Sequence, residues 1–235
     1  MIDPPPANVL ERLRGGLIVS AQAWDGSALD RPDVLTAMAQ AALANGAVGI
    51  RARSLACLTQ MREQFSAPLI GLVKVAHDGF APYITPTLDD ARAVAATGAD
   101  IVAFDATDRP RPDGSTVADA VRAIVGSGCM AMADCATFDD ALRAARAGAH
   151  IVATTLSGYT PGTTGRTLPD FELLERMRAL DTFVVCEGGV YAPEQLRAAF
   201  DRGADAVVVG TAITNVDWLV RRFAGSADAA PNRSK

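Results

Sequence analysis

The chain has 235 residues, 49% of them hydrophobic, and a formal net charge of −5. That length suits one large α/β domain or two small ones, and the apolar content excludes a chain disordered over most of its length. The acidic balance excludes a general nucleic-acid binder, which needs a basic surface, but still allows one phosphate to be held by a local nest of N–H groups.

No apolar run approaches the ~20 residues that a membrane span requires. Met1 to Asn8 is proline-rich and lacks the basic-then-apolar order of a secretion signal. Cys57, Cys129, Cys135 and Cys186 form no CxxC pair. They read as buried free thiols of a reducing compartment, which makes the cytoplasm the expected location.

In chain order, Ala7–Arg14 reads as a short extra helix. Eight short apolar runs then alternate with amphipathic segments rich in Ala and Arg. The expected strands are Leu17–Gln22, Ala47–Arg51, Pro68–Lys74, Ile101–Ala106, Cys129–Asp134, His150–Thr154, Phe183–Glu187 and Ala206–Gly210. Near-continuous Val, Ile and Ala suit parallel strands buried on both faces. Helical stretches include Pro32–Asn45, Leu88–Thr97, Thr137–Ala147 and Pro193–Arg202.

Gly46-Ala47, Gly98-Ala99, Gly148-Ala149 and Gly203-Ala204 each close a helical segment and lead into a strand, as glycine does at a left-handed helix cap. Eight βα units with this weak quarter-repeat predict a closed (β/α)8 TIM barrel over residues 1–224. The extra helix would cover its floor, and 225–235 would form a disordered tail. An open doubly wound sheet is the alternative, although it usually has fewer strands and a strand-order switch.

In such a barrel the chemistry gathers at the C-terminal strand ends. Those ends read Gln22, Arg51, Lys74, Asp105, Asp134, Thr154-Thr155, Glu187-Gly188-Gly189 and Gly210-Thr211. Lys74 stands out by composition: of 22 cationic residues only Lys74 and Lys235 are lysines. Arginine cannot replace a lysine that must lose its proton.

If Lys74 faces the barrel mouth, desolvation and Arg51 would lower its pKa, suiting it to proton transfer or to Schiff-base formation. Glu187 could act as the opposite proton-transfer group or orient a sugar hydroxyl. Asp105 and Asp134 would accept hydrogen bonds from sugar hydroxyls or from Arg51, unless they merely cap the following loops. Gly188, Gly189, Gly210 and Thr211 follow strands seven and eight, where phosphate-binding barrels place their anion. His77 and His150 are the only histidines, and no Ser/His/Asp order, zinc spacing or P-loop is present. No metal and no cofactor is expected.

Several segments together resemble the bacterial N-acetylmannosamine-6-phosphate 2-epimerases. They are Gly16–Gln22, Gly46–Ala52, Tyr83–Thr87, Asp105–Thr107, Arg109–Gly114, Met132–Cys135, Thr154–Thr160, Glu187-Gly188 and Val207–Thr214. The resemblance spans roughly residues 10–224. It implies interconversion of N-acetylmannosamine 6-phosphate and N-acetylglucosamine 6-phosphate in amino-sugar and sialic-acid catabolism. Lys74 and Glu187 fall at the family's catalytic positions, and Gln22, Arg51 and Asp134 at substrate-contacting ones. Asp105 and Thr155 are further candidate contacts.

The resemblance also implies a homodimer, for which Trp218-Leu219 are candidate interface groups if they do not simply pack on the barrel. Two positions depart from the family pattern. Val75, followed by an altered Ala76–Pro82, stands where Arg usually follows the lysine, and Asn215 stands where Arg usually follows Ala-Ile-Thr. Losing one charge-assisted phosphate contact costs on the order of 1.5–3 kcal/mol, or about one to two decades in affinity. Two other functions use the same residues: a Schiff-base lyase or aldolase built on Lys74, and a sugar-phosphate sensor without activity.

Overall fold

The computed structural model describes residues 8–228. The elements are α1 Val9–Leu13, β1 Leu17–Ala21, α2 Pro32–Ala44, β2 Ala47–Arg53, α3 Leu55–Gln64 and β3 Leu69–Leu72. They continue as α4 Leu88–Ala95, β4 Ile101–Asp105, α5 Val117–Gly126, β5 Met130–Asp134, α6 Phe138–Arg146 and β6 Ile151–Ala153. The chain closes with α7 Phe171–Met177, β7 Phe183–Glu187, α8 Pro193–Asp201, β8 Ala206–Val209, α9 Thr211–Thr214 and α10 Val216–Asp228. All eight strands run parallel in the order β1 to β8, and β8 pairs back onto β1. This is the closed (β/α)8 barrel that the alternation predicts.

Period-two alternation divides the apolar side chains into two layers. Ile18, Ile70, Ile101, Met132, Val185 and Val208 point into the barrel and pack on one another. Val19, Leu69, Val102, Ala131, Val184 and Val207 point outward against the helices. Burying each larger aliphatic side chain contributes about 1.5–3 kcal/mol. Val9 and Leu13 of α1 pack with the inner layer and plug the floor. Gly49 makes this possible, because a Cβ there would stand 2.6 Å from a Leu13 methyl.

The four expected cap glycines, Gly46, Gly98, Gly148 and Gly203, all have φ between +84° and +102°. At the opposite helix ends, Thr87, Thr116 and Thr137 form capping boxes with Asp90, Asp119 and Asp140. Each box satisfies two N–H groups that the helix leaves free. The four cysteines are free and buried, as the sequence predicts. Helix α10 continues through Asp228, past Gly225 where the tail was expected to begin. The rest of that tail, including Lys235, lies outside the described residues. Among the described residues no helix is long and apolar enough to cross a membrane.

Candidate active site

Following the inward phase to the top of the barrel turns an apolar interior polar within one step. Ser20 and Gln22 come from β1 and its loop, Arg51 from β2, Lys74 from just past β3, Thr155 from just past β6 and Glu187 from β7. They line one cleft together with Gly188, Gly189, Gly210 and Thr211. Its empty volume is about 810 Å³.

Arg51 lies at the centre and is buried. Its Nη2 and Nη1 donate to the Asp134 carboxylate at 2.7 and 3.3 Å, and its Nε lies 3.2 Å from Glu187 Oε1. One guanidinium therefore faces two carboxyl groups. Burial pushes the Glu187 carboxyl up to about 7, aided by Asp134 and opposed by Arg51.

Thr155 bears on the same proton. Its Oγ1 lies 2.8 Å from Asp134 Oδ1 and 3.2 Å from Glu187 Oε2. A hydroxyl has one hydrogen to give. When Asp134 receives it, the second contact is a hydrogen bond only if Glu187 is protonated and donates to Thr155. Thr154, the outward neighbour, fixes the Glu187 backbone instead: its hydroxyl donates to Glu187 O at 2.8 Å and accepts from Glu187 N–H at 3.0 Å.

Lys74 Nζ donates to Gln22 Oε1 at 3.0 Å, and Gln22 Nε2 donates to Ser20 Oγ at 2.8 Å. The residue is exposed at the mouth, but its amine stands inside the cleft walls. Partial withdrawal from water, then the charges of Arg51 and Arg53, lower its pKa from the usual lysine value. A neutral amine that gives one hydrogen to Gln22 keeps its lone pair for a proton on carbon.

Two expected contacts do not reach the cleft. Asp134 is buried behind Arg51 and takes the alternative role foreseen for it, holding that guanidinium. Asp105 does not face the cleft either. It is fully buried, pairs with Arg109 Nη2 at 2.6 Å, and accepts from the Thr107 hydroxyl at 2.6 Å. The reason lies in the wall: Ile84 comes between β3 and β4 and lines the cleft in that sector.

The glycine turns have separate physical reasons. Gly189 has φ +75°, and a Cβ there would collide with Leu168. A Cβ on Gly210 would sit 3.1 Å from Ser20 Cβ, narrowing the cleft beside the start of α9. The first N–H groups of a helix have no partner within it.

Several cleft residues were missed in the sequence. Tyr83, Tyr159 and Tyr191 line the rim, and the chain has only three tyrosines. Their placement in the loops after β3, β6 and β7 was the available signal. Tyr191 stacks on Trp218 with centroids 5.1 Å apart, so Trp218 already packs against its own barrel.

Two side clefts share Lys74 and Arg53 in their walls, one also lined by Val75 and the other by Asn215. Arg53 is held there by Asp25 at 2.6 Å and Asp30 at 3.0 Å. Asn215 Oδ1 accepts from Trp218 N–H at 2.9 Å and caps α10. Among the described residues no three His, Cys, Asp or Glu side chains are grouped to hold a metal ion.

Residues 35–229 match the family model "Putative N-acetylmannosamine-6-phosphate epimerase". A 2-epimerase of that designation from Synechococcus elongatus is 46% identical over 226 residues, covering 94% of this chain and 97% of its own. Another, from Caldanaerobacter subterraneus, is 40% identical and covers 92% of each chain. The solved N-acetylmannosamine-6-phosphate 2-epimerase of Clostridium perfringens superposes with a TM-score of 0.89 at 38% identity. That match covers 92% of this chain and 95% of the other. A barrel with this cleft and these relatives belongs to the N-acetylmannosamine-6-phosphate epimerase family.

Proposed function

We propose that the chain interconverts N-acetylmannosamine 6-phosphate and N-acetylglucosamine 6-phosphate by proton transfer at C2. One observation carries the reading: a single cleft holds an amine lowered from its usual pKa and a carboxyl pushed up to about 7. Groups so tuned exchange protons near neutral pH.

The C2 proton is acidic only when C1 is a carbonyl, so the reaction runs through the ring-opened sugar. For one epimer, neutral Lys74 removes the C2 proton and protonated Glu187 delivers one to the opposite face. That leaves an ammonium and a carboxylate, the state needed to convert the other epimer back. Neutral amine with carboxylic acid, and ammonium with carboxylate, contain the same number of protons. Exchange between them resets the pair without a cofactor. Arg51, fixed by Asp134, supplies positive charge for the oxygen that becomes negative at C1. Thr155 orients Glu187, and Gln22 orients Lys74.

The phosphate is assigned to the backbone N–H groups around Gly188-Gly189 and Gly210-Thr211. Among the described residues, Arg51 and Lys74 are the cationic side chains that line the cleft. With Asn215 used as a helix cap, the 6-phosphate is held chiefly by backbone, and the neutral sugar is expected to remain a slower substrate. The buried thiols fit a cytoplasmic enzyme. A homodimer is assigned to the exposed stripe Val216, Val220 and Phe223 on α10, spaced to share one helix face.

The test is proton NMR in D2O with both the phosphorylated and the unphosphorylated sugar, alongside borohydride with substrate. The reading expects the gluco epimer with deuterium at C2 and no covalent trapping of the enzyme. Absence of both epimer and exchange would remove it, and trapping would replace it with Schiff-base chemistry.

A further inference from the structure

The upper ends of β3 and β4 do not pair. Their ladder stops at Gly71 and Val102, and the segment Tyr83–Thr85 fills the gap above. Val75 N–H donates to Tyr83 O at 2.9 Å, and Thr85 N–H donates to Val73 O at 2.8 Å. On the other side, Asp105 N–H donates to Ile84 O at 2.9 Å. The residues before and after Lys74 are therefore both fastened to this wedge.

Thr85 is the fastening point of the wedge itself. Its hydroxyl donates to Ala103 O of β4 at 2.7 Å and accepts from Val73 N–H beside β3 at 3.4 Å. It is buried, with φ +44°. A β-branched residue in the left-handed region is a true outlier, and such strain persists where the surroundings over-determine it, often at functional sites. The surroundings here include Arg111, which is buried and donates both to Asp105 O and, at 3.4 Å, to Pro86 O. That closes the wedge on its far side.

We propose that Thr85 is a positioning residue whose hydroxyl, by tying the wedge to β3 and β4, sets where the Lys74 amine stands in the cleft. This rests on the reading of Lys74 as the proton-transferring base. The charged and titratable groups around that amine are Arg51 and Arg53 from β2, Asp134 from β5, Glu187 from β7, Tyr83 on the wedge, Asp25 and Asp30 from the loop after β1, and Tyr159 and Tyr191 at the rim. Lys74 displaced outward leaves the two arginines and gains water. Both changes favour its protonated form, and the ascending limb of the pH–rate profile moves to higher pH.

Thr85→Val keeps the shape and the branching while removing the hydroxyl, so it asks the same of the backbone. It is expected to lower kcat by about tenfold or more with KM little changed, as small misplacements of a reacting group do, and to shift the ascending limb upward. Thr85→Ser restores the hydroxyl and is expected within about threefold of the parent, with the parent's limb. A Thr85→Val protein with parental kcat and limb would overturn the proposal. So would a folded Thr85→Ser protein that loses turnover, which decides the matter even if the valine variant does not fold. Lys74→Ala, assayed alongside, separates the two readings: if it turns over normally, the Lys74 assignment fails whatever Thr85 does.

Discussion

Replacing Glu187 with Gln should make the protein more stable at alkaline pH while abolishing most of its activity. The Glu187 carboxyl stands at about 7 against an ordinary 4.5. At ~1.4 kcal/mol per pKa unit, ionising it in the folded protein costs on the order of 3 kcal/mol more than in the unfolded chain. This is an upper bound, because Asp134, Arg51 and Lys74 share the charge. The folded pKa is raised, so the folded parent binds more protons than the unfolded chain between about 4.5 and about 7. Its stability falls as pH rises through that window and levels off above it.

Glu187→Gln removes that dependence. The amide oxygen still accepts from Arg51 Nε, and the amide nitrogen donates to the Thr155 hydroxyl as the protonated acid would. The stability gained over the parent is therefore near zero around pH 4.5 and full above about 7. For a domain of this size, each kcal/mol moves Tm by about 2–4 °C, so the full gain is at most about 6–12 °C. Thermal melts of both proteins from roughly pH 5 to roughly pH 8.5 read it directly. A Tm difference that stays constant across that range would refute the raised carboxyl and the buried-charge argument behind it.

Other outcomes follow from the same geometry. Lys74→Arg keeps the charge and length but cannot offer a neutral base; turnover is expected to fall by at least about 10³-fold with the fold intact by circular dichroism. Asn215→Ala removes the cap of α10 and is expected to cost about 1 kcal/mol in urea denaturation, with kcat nearly unchanged. Phe223 is 75% exposed, and Phe223→Glu should shift the proposed dimer to monomer in light scattering without altering the cleft. Gly189→Ala forces both an unfavourable φ and a collision with Leu168; lost expression or a Tm drop corresponding to about 2 kcal/mol or more is expected.

The barrel was legible because parallel strands buried on both faces must be apolar throughout, and each helix had to stop at a residue tolerant of positive φ. The inward phase of each strand then fixed which end residue faced the mouth. Arg51, Thr155 and Glu187 could be placed by counting in twos. What resisted was long-range. Lys74 reads as the last residue of a strand, yet β3 ends at Leu72, because a segment about ten residues downstream replaces the β4 ladder. Tyr83–Thr85 is too short and too closely flanked by Pro82 and Pro86 to read as a strand.

The same insertion explains why Asp105, correctly in phase, holds Arg109 instead of facing the cleft. In the sequence Asn215 stands out only for the charge it lacks, whereas its side chain has a structural task at the start of α10. Composition predicts a disordered tail from Gly225, but α10 carries Gly225 to Asp228 in the helix.

The most direct measurement is titration of the Lys74 side-chain nitrogen by NMR in protein labelled at lysine. The chain has two lysines, Lys74 and Lys235, so the spectrum contains two such signals, and a Lys74→Arg sample assigns them. The Lys74 signal is expected to titrate below the free-lysine value of ~10.4, and to move back toward it in Thr85→Val. A Lys74 signal titrating at the free-lysine value in the parent would remove Lys74 as the base, since no neutral amine would then stand at the mouth of the barrel.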